Sequence, residues 1–255
     1  MNAHDATAVL LAAGCARRLE ELTRDRPKCL LEVGGRTLIE HQIQALREAG
    51  VEQVVVVVGF RAEMIRDLLG DSVRFVLNEV YDRTNSLYSL NLALPACSGP
   101  LILTNADVLF HPRLMKRLVD APEPDALLFE PNTELGDEEM KVRLHEGRVL
   151  AMSKSLEAGS YEGENLGLLK FSPAGVKRVR LAAEDLIGQE QVNAWAPMAF
   201  DAICREYPIH GISCGTLPWI EIDFPEDLER ARNVIWPRIA ASLDRETHSA
   251  GMDQA

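Results

Sequence analysis

The sequence predicts an α/β fold on a doubly wound, mostly parallel sheet with a smaller β lobe, and three observations carry that prediction. Val9 to Ala13, Val54 to Val58 and Leu101 to Thr104 are short apolar runs, the pattern of strands buried on both faces. Stretches with helical periodicity lie between them. Strand and helix alternate as βαβαβ through the first eighty residues, which calls for parallel strands and helices on both faces.

Taken in order, Val9 to Ala13 ends at Gly14, a natural backbone turn. Thr37 and Glu40 have capping-box spacing and open a helix carrying Leu38, Ile39, Ile43 and Leu46, which stops at Gly50. Val54 to Val58 is then a strand, Ala62 to Leu69 a helix and Val73 to Leu77 a strand. Ser86 to Leu94 reads as a helix ended by Pro95, Leu101 to Thr104 as a strand, and Pro112 to Val119 as a helix begun by its proline. After Pro122 and Pro124 the texture changes to short β segments at Ala126 to Phe129, Lys141 to Leu144, Arg148 to Met152 and Leu166 to Phe171, with Glu146-Gly147 as a hairpin turn. Pro173 to Leu186 and Ala194 to Glu206 read as helices, and Trp219 to Ile222 as a strand. Pro225 begins a helix that Pro237 should bend or end. The expected organisation is one domain over 1–243, with halves at about 7–121 and 122–235, and a disordered polar tail at 244–255.

Composition excludes several classes. With 255 residues and 47% hydrophobic side chains the chain can bury a sizeable core, which argues against disorder. It carries 27 Lys and Arg against 39 Asp and Glu, a net charge of −12, which repels a phosphate backbone, so no nucleic-acid partner is expected. Cys15, Cys29, Cys97, Cys204 and Cys214 form no C-x-x-C pair, so neither a disulfide framework nor a zinc knuckle is indicated, and a reducing cytoplasm fits. The longest apolar run, Val54 to Val58, is far short of the roughly 20 residues of a membrane span. Ala8 to Cys15 superficially has the form of a lipoprotein signal, but Asp5 and the lack of Lys or Arg before it argue for a buried first strand.

Between Arg17 and Arg36 six basic residues stand against four acidic ones, a local excess of positive charge in an acidic chain. It follows the first strand, where open α/β sheets bind ligands, so an anionic ligand is expected there; the plain alternative is a solvated charged loop. No G-x-G-x-x-G follows the strand and no Walker loop occurs anywhere, so a different phosphate loop is required.

Leu11-Ala12-Ala13-Gly14-Cys15-Ala16-Arg17-Arg18-Leu19, followed by Leu22-Thr23 and Pro27-Lys28-Cys29-Leu30, resembles the L-A-A-G-x-G-x-R signature and its L-T and P-K-x-L continuations in sugar-nucleotidyltransferase-like enzymes, the MobA-like NTP transferase family. One departure stands out: the family's second glycine aligns with Ala16, next to Arg17. The resemblance covers roughly residues 7 to 235 and implies a Rossmann-like nucleotidyltransferase fold whose smaller lobe faces the acceptor. It also implies that Arg18 and Lys28 hold nucleotide phosphates, that the Leu11 to Gly14 backbone faces the base, and that Cys15, Ala16, Arg17 and Ala106 belong to the nucleotide site. By the same resemblance Asp107, after the central strand, and Asp223, in Glu221-Ile222-Asp223-Phe224-Pro225-Glu226-Asp227-Leu228, bind Mg²⁺ together. Read without the family, Asp223 could equally be a helix N-cap before Pro225. The six histidines show no metal-ligand spacing.

Asn78, Thr84 to Leu90, Met140 to Val142, Met152 to Lys154 and Gly163 to Gly167 are similar to segments of bacterial cytidylyltransferases acting on phosphocholine, 2-aminoethylphosphonate and related compounds. This implies CTP and a small phosphate or phosphonate as substrates, with Asn78, Thr84, Asn85 and Ser89 near the nucleotide. Lys154 would neutralise the acceptor's phosphoryl group, and Lys141, Glu164, Trp219 and Glu221 would join it in acceptor binding. Tyr81, Tyr88, Trp195 and Trp219 could face a quaternary ammonium, or Glu139, Glu164 and Asp201 a primary amine; an acceptor without a cation stays open, as does a homodimer. The competing activities are a uridylyl-, thymidylyl- or guanylyltransferase acting on a sugar 1-phosphate, and a silent nucleotide-sensing subunit.

Overall fold

A computed structural model describes residues 2–252, the side chains at 17, 20 and 246–252 excepted. The N-terminal half comprises β1 (Thr7–Ala12), the hairpin of β2 (Glu32–Val33) and β3 (Arg36–Thr37), α1 (Leu38–Glu48), β4 (Gln53–Val58), α2 (Ala62–Leu69), β5 (Arg74–Leu77), α3 (Ser86–Ala93), β6 (Leu101–Asn105), β7 (Val108–Phe110) and α4 (Pro112–Asp120). The C-terminal half adds β8 (Ala126–Pro131), β9 (Lys141–His145), β10 (Arg148–Ser153), β11 (Gly163–Phe171), α5 (Pro173–Gly188), α6 (Pro197–Cys204), β12 (His210–Ser213), β13 (Trp219–Glu221), α7 (Pro225–Arg230) and α8 (Trp236–Met252).

Among the described residues a nine-stranded sheet runs β5-β4-β1-β6-β11-β8-β12-β10-β9. The first four strands are parallel, in line with the βαβαβ reading. Beyond β6 the sheet is not: β11 lies antiparallel to both β6 and β8, and β10 antiparallel to β9 and β12. The sheet is therefore mixed rather than mostly parallel, because the β lobe is hydrogen-bonded directly onto the edge of the parallel half.

Alternation along the strands explains the double winding. Leu10, Val54 and Val56 pack beneath α1, α2 and α4, while Val9, Val55 and Val57 pack beneath α3, α5 and α6. Each fully buried aliphatic side chain of this kind contributes about 1.5–3 kcal/mol. A third, smaller cluster matters most for function. Leu19, Leu31, Val33 and Leu38 near the N-terminus, Leu109 in β7, and Ile220, Ile222, Leu228 and Ile235 near the C-terminus bury one another. This cluster brings the beginning, middle and end of the chain to one place.

Several local expectations need correction. The β2–β3 hairpin, β7 and β12 are short and bounded by residues without a period-2 signature, so patterning alone did not reveal them. The helix expected from Ala194 starts at Pro197, because the Ala194 carbonyl accepts from Leu87 N–H and Ala196 N–H donates to Ser86 Oγ, which spends that backbone on α3. Of the two outcomes expected at Pro237, the helix does not end there: the α-helix from Pro225 passes through a π-helical turn over Ala231–Ile235 and continues as α8. Helix α8 runs to Met252, and 253–255 of the expected tail lie outside the described residues. No helix among the described residues is long and apolar enough to cross a membrane.

Candidate active site

The site opens at the carboxyl ends of β1 and β6 as a cavity of about 510 Å³. Its floor is the loop after β1. Ala16 adopts φ 41°, a left-handed conformation that costs a side-chain-bearing residue about 1–2 kcal/mol and glycine nothing. The departure noted in the sequence thus falls on the one loop residue whose backbone favours glycine, and Thr23 Oγ1 donates to the Ala16 carbonyl at 2.8 Å to hold the turn. A Cβ on Gly14 would meet no protein atom within 4 Å, so it would project into the cavity. Gly14→Val is expected to cost roughly 1–3 kcal/mol in the binding of any ligand that fills this part of the cavity, by occupying its space. Its unfolding temperature should stay at the wild-type value; calorimetric titration and a melting curve check the two halves of this prediction.

Opposite the loop, the residues from three chain regions converge. Lys28, in a 3-10 turn at Lys28–Leu30, places Nζ 2.9 Å from Asp107 Oδ2 and 2.6 Å from Asp223 Oδ1. Arg18 bonds Asp223 Oδ2 at 2.8 Å and Glu138 Oε2 at 2.8 Å, and Lys154 reaches the same Glu138 oxygen at 3.3 Å. Lys154 Nζ also lies 4.8 Å from the centre of the Trp195 ring, a cation–π contact. Asp107 sits in the turn between β6 and β7, and Asp223 just after β13. The two are brought side by side because β7 and β13 pair antiparallel, Val108 opposite Glu221. The N-cap alternative for Asp223 does not hold: Phe224 is the N-cap of α7, and Asp227 Oδ2 accepts from the Asp223 and Phe224 N–H groups. The Asp223 carboxylate is thus not spent on the helix and lines the cavity, paired with Lys28 and Arg18.

The electrostatics follow from crowding. Burial alone would lower the Lys28 pKa, but the Asp107 and Asp223 carboxylates outweigh it and hold it above the usual lysine range. Burial pushes Asp223 up, yet Lys28 and then Arg18 hold it below the usual carboxylate range. Glu221 is pushed up to about 8 by burial and by Asp107 and Asp223. Asp107, Glu221 and Asp223 each offer an oxygen within 4.8 Å of the other two, and Asp107 Oδ1 is buried without a hydrogen-bond partner. An all-oxygen set with an unspent acceptor suits a hard divalent cation such as Mg²⁺.

A family model described as the MobA-like NTP transferase domain matches residues 8–160. The chain belongs to this family. Relatives include the CTP:phosphoglutamine cytidylyltransferase of Campylobacter jejuni, 27% identical over 87% of this chain and 97% of that protein. The CMP-5'-(3-aminopropyl)phosphonate synthase of Streptomyces rubellomurinus is 38% identical over 47% of this chain, which spans only 20% of that protein. Among solved structures, the CTP:phosphocholine cytidylyltransferase of Streptococcus pneumoniae superposes with a TM-score of 0.77 at 23% identity, over 90% of this chain and 98% of that one.

In this NTP transferase most of the residues named from sequence line the one cavity. Leu11, Ala12, Ala13, Gly14, Cys15 and Ala16 form one wall, and Asn78, Thr84, Asn85 and Ser89 another. Ala106, Asp107, Lys154, Glu221 and Asp223 complete it with Arg18 and Lys28. Asn78 is buried and donates to Thr84 Oγ1 and Ser89 Oγ, both at 3.1 Å, which fixes that wall. The Arg17 side chain lies outside the described residues. Three of the residues expected on the acceptor side sit elsewhere. Lys141 is buried off the cavity and its Nζ donates to the Lys154 carbonyl at 2.6 Å, so it supports Lys154 rather than facing the cavity. Glu164 and Trp219 line a second cleft of about 420 Å³ that shares Glu138, Glu221 and Asp223 with the first. Of the amine-binding set, Asp201 accepts from the Met152 N–H and is structural, whereas Glu139 lines the second cleft. Tyr81 and Trp195 line the main cavity and Tyr88 does not. Glu138 was missed; it lies in an acidic loop, and only the fold brings it to Arg18 and Lys154.

Burial, then Glu139 and Glu130, push Glu164 up to about 7 from the usual 4.5. A carboxyl with a raised folded-state pKa loses stability as pH rises through that window, and the loss is complete above it. Glu164→Gln is therefore expected to be more stable than wild type at pH 8, by on the order of 1 kcal/mol after solvent screening, and equal to it at pH 4. Denaturant titrations at the two pH values check this.

Proposed function

We propose that the protein is a Mg²⁺-dependent cytidylyltransferase. It transfers CMP from CTP to a small phosphate or phosphonate acceptor of the 2-aminoethylphosphonate, phosphocholine or phosphonoformate kind, and it works in the cytoplasm. The observation that carries this reading is Lys28 lodged between Asp107 and Asp223 at the mouth of the β1 loop, 2.9 and 2.6 Å from their oxygens. The near full-length likeness to the Campylobacter cytidylyltransferase supports the choice of CTP.

An acceptor oxygen attacks the α-phosphorus in line; the bond from that phosphorus to the bridging oxygen breaks, and pyrophosphate leaves with the electron pair. The acceptor is already an anion near neutral pH, so no general base is required and catalysis consists of positioning and charge neutralisation. Arg18 and Lys28 take the charge of the triphosphate and the leaving pyrophosphate, and Lys154, steadied by Trp195 and Lys141, takes the acceptor's. Asp107 and Asp223 would hold Mg²⁺ with Glu221 beside them, and the bound ion would neutralise charge developing on the phosphoryl oxygens. The Leu11 to Gly14 backbone and the Asn78 to Ser89 wall enclose the base and ribose.

A nucleotide panel with pyrophosphate release as readout tests the reading. CTP should be the preferred donor with a small phosphate or phosphonate acceptor. Preference for UTP, dTTP or GTP with a sugar 1-phosphate would reassign the activity, and tight CTP binding without pyrophosphate release would make the protein a sensor.

A further inference from the structure

Gln42 is a polar residue on the apolar face of α1, flanked by the buried Leu38, Ile39, Ile43 and Leu46, and it is only 1% exposed. A buried carboxamide is costly unless its donors and acceptor are all used. Here they are. Nε2 donates to the Asn105 carbonyl at 2.9 Å and to the Val108 carbonyl at 2.7 Å, and Oε1 accepts from Thr104 Oγ1 at 2.5 Å. The two carbonyls stand on either side of Ala106-Asp107, so one side chain clamps both ends of the turn that presents Asp107. The rest of the turn is held from other directions: Ala106 N–H donates to the Leu11 carbonyl at 3.3 Å, and the Asp107 carbonyl accepts from Ile222 N–H at 3.1 Å.

We propose that Gln42 is a positioning residue that fixes the Asp107 carboxylate at the distance from Asp223 needed to share one divalent cation. It touches no ligand. Thr104 sets the orientation of its carboxamide, so that the amide nitrogen and not the oxygen meets the two carbonyls. This inference rests on the reading of Asp107 and Asp223 as a cation pair. Outer residues that orient metal ligands are typically worth 10–100-fold in metal affinity.

The experiment is Mn²⁺ binding to the free protein followed by electron paramagnetic resonance, for wild type, Asp107→Asn, Gln42→Met and Thr104→Val, with CTP binding in chelator and unfolding temperature recorded for each. Gln42→Met, close in volume, should weaken Mn²⁺ binding about 10–100-fold, and Thr104→Val should weaken it by a smaller factor in the same direction. CTP binding without metal should not change in either. An Mn²⁺ dissociation constant for Gln42→Met within twofold of wild type, whatever its unfolding temperature, overturns the inference. Should Gln42→Met fail to fold, Thr104→Val decides, and wild-type affinity there is the contrary result. If Asp107→Asn binds Mn²⁺ like wild type, the cation-pair reading itself fails and takes this inference with it; if only Asp107→Asn differs from wild type, the clamp alone is wrong.

Discussion

Asp107→Ala is expected to lower turnover on the order of 10²–10³-fold while CTP still binds in the absence of metal, by analogy with the loss of one preorganised electrostatic partner. The backbone of Asp107 is fixed independently of its carboxylate: it occupies the turn between β6 and β7 and its carbonyl is tied to Ile222, while the carboxylate's partner is Lys28. Removing the carboxylate therefore leaves the turn and the adjoining cavity wall intact. It also removes the carboxylate whose second oxygen, Oδ1, is buried and unspent. Steady-state kinetics at saturating CTP and acceptor, with metal-free CTP binding measured in parallel, check this. A fall in CTP affinity equal to the fall in turnover would mean that Asp107 serves ground-state binding instead.

Lys28→Met is expected to lower turnover by a similar 10²–10³-fold factor and, unlike Asp107→Ala, to destabilise the fold. The Lys28 side chain is 12% exposed and pairs with both aspartates, so its loss leaves clustered carboxylates without their counter-charge. Breaking such a pair by removing one partner costs roughly 3 kcal/mol. The sign with pH follows from the two shifts. The raised Lys28 pKa gives stability that is complete below the unfolded lysine value and lost as pH rises through the folded one. The depressed Asp223 pKa gives stability that is present above the unfolded carboxylate value and lost as pH falls through the folded one. The deficit of Lys28→Met should thus be largest at neutral pH and shrink as pH falls below the usual carboxylate range and through the depressed Asp223 value. Added Mg²⁺ should restore part of it by replacing the missing positive charge. Thermal melts across pH, with and without Mg²⁺, check both statements.

The parallel half of the fold was legible because its strands are apolar on both faces and its helices carry capping and proline signals, as Thr37, Glu40 and Pro112 do. In the β lobe the strands at 126–131, 141–145, 148–153 and 163–171 and the Glu146-Gly147 hairpin were legible as well, but their antiparallel pairing onto the sheet was not, nor was β12, which is only half-buried and takes its place through pairing with β8. In the site, Arg18, Lys28, Asp107 and Asp223 were recoverable from motif and position, and the third hydrophobic cluster supplies the physical reason that they meet. Lys141, Glu164 and Trp219 were placed on the acceptor side without their facing, which strand pairing decides: Lys141 points to the Lys154 backbone and the other two into the adjoining cleft. Glu138 carried no signal beyond its charge. Gln42 did carry one, a polar residue on the apolar stripe of an amphipathic helix, and such a residue asks what its hydrogen bonds hold.

The central claim is that Asp107 and Asp223 share one divalent ion with the triphosphate. Crystals grown with CTP and Mn²⁺ and measured at the manganese absorption edge test it most directly. The expected result is one anomalous peak ligated by an oxygen of each aspartate and by phosphate oxygens, with the Lys28 ammonium moved onto the nucleotide. Lys28 still seated between the two aspartates, with manganese bound to the nucleotide alone or to neither carboxylate, would contradict it.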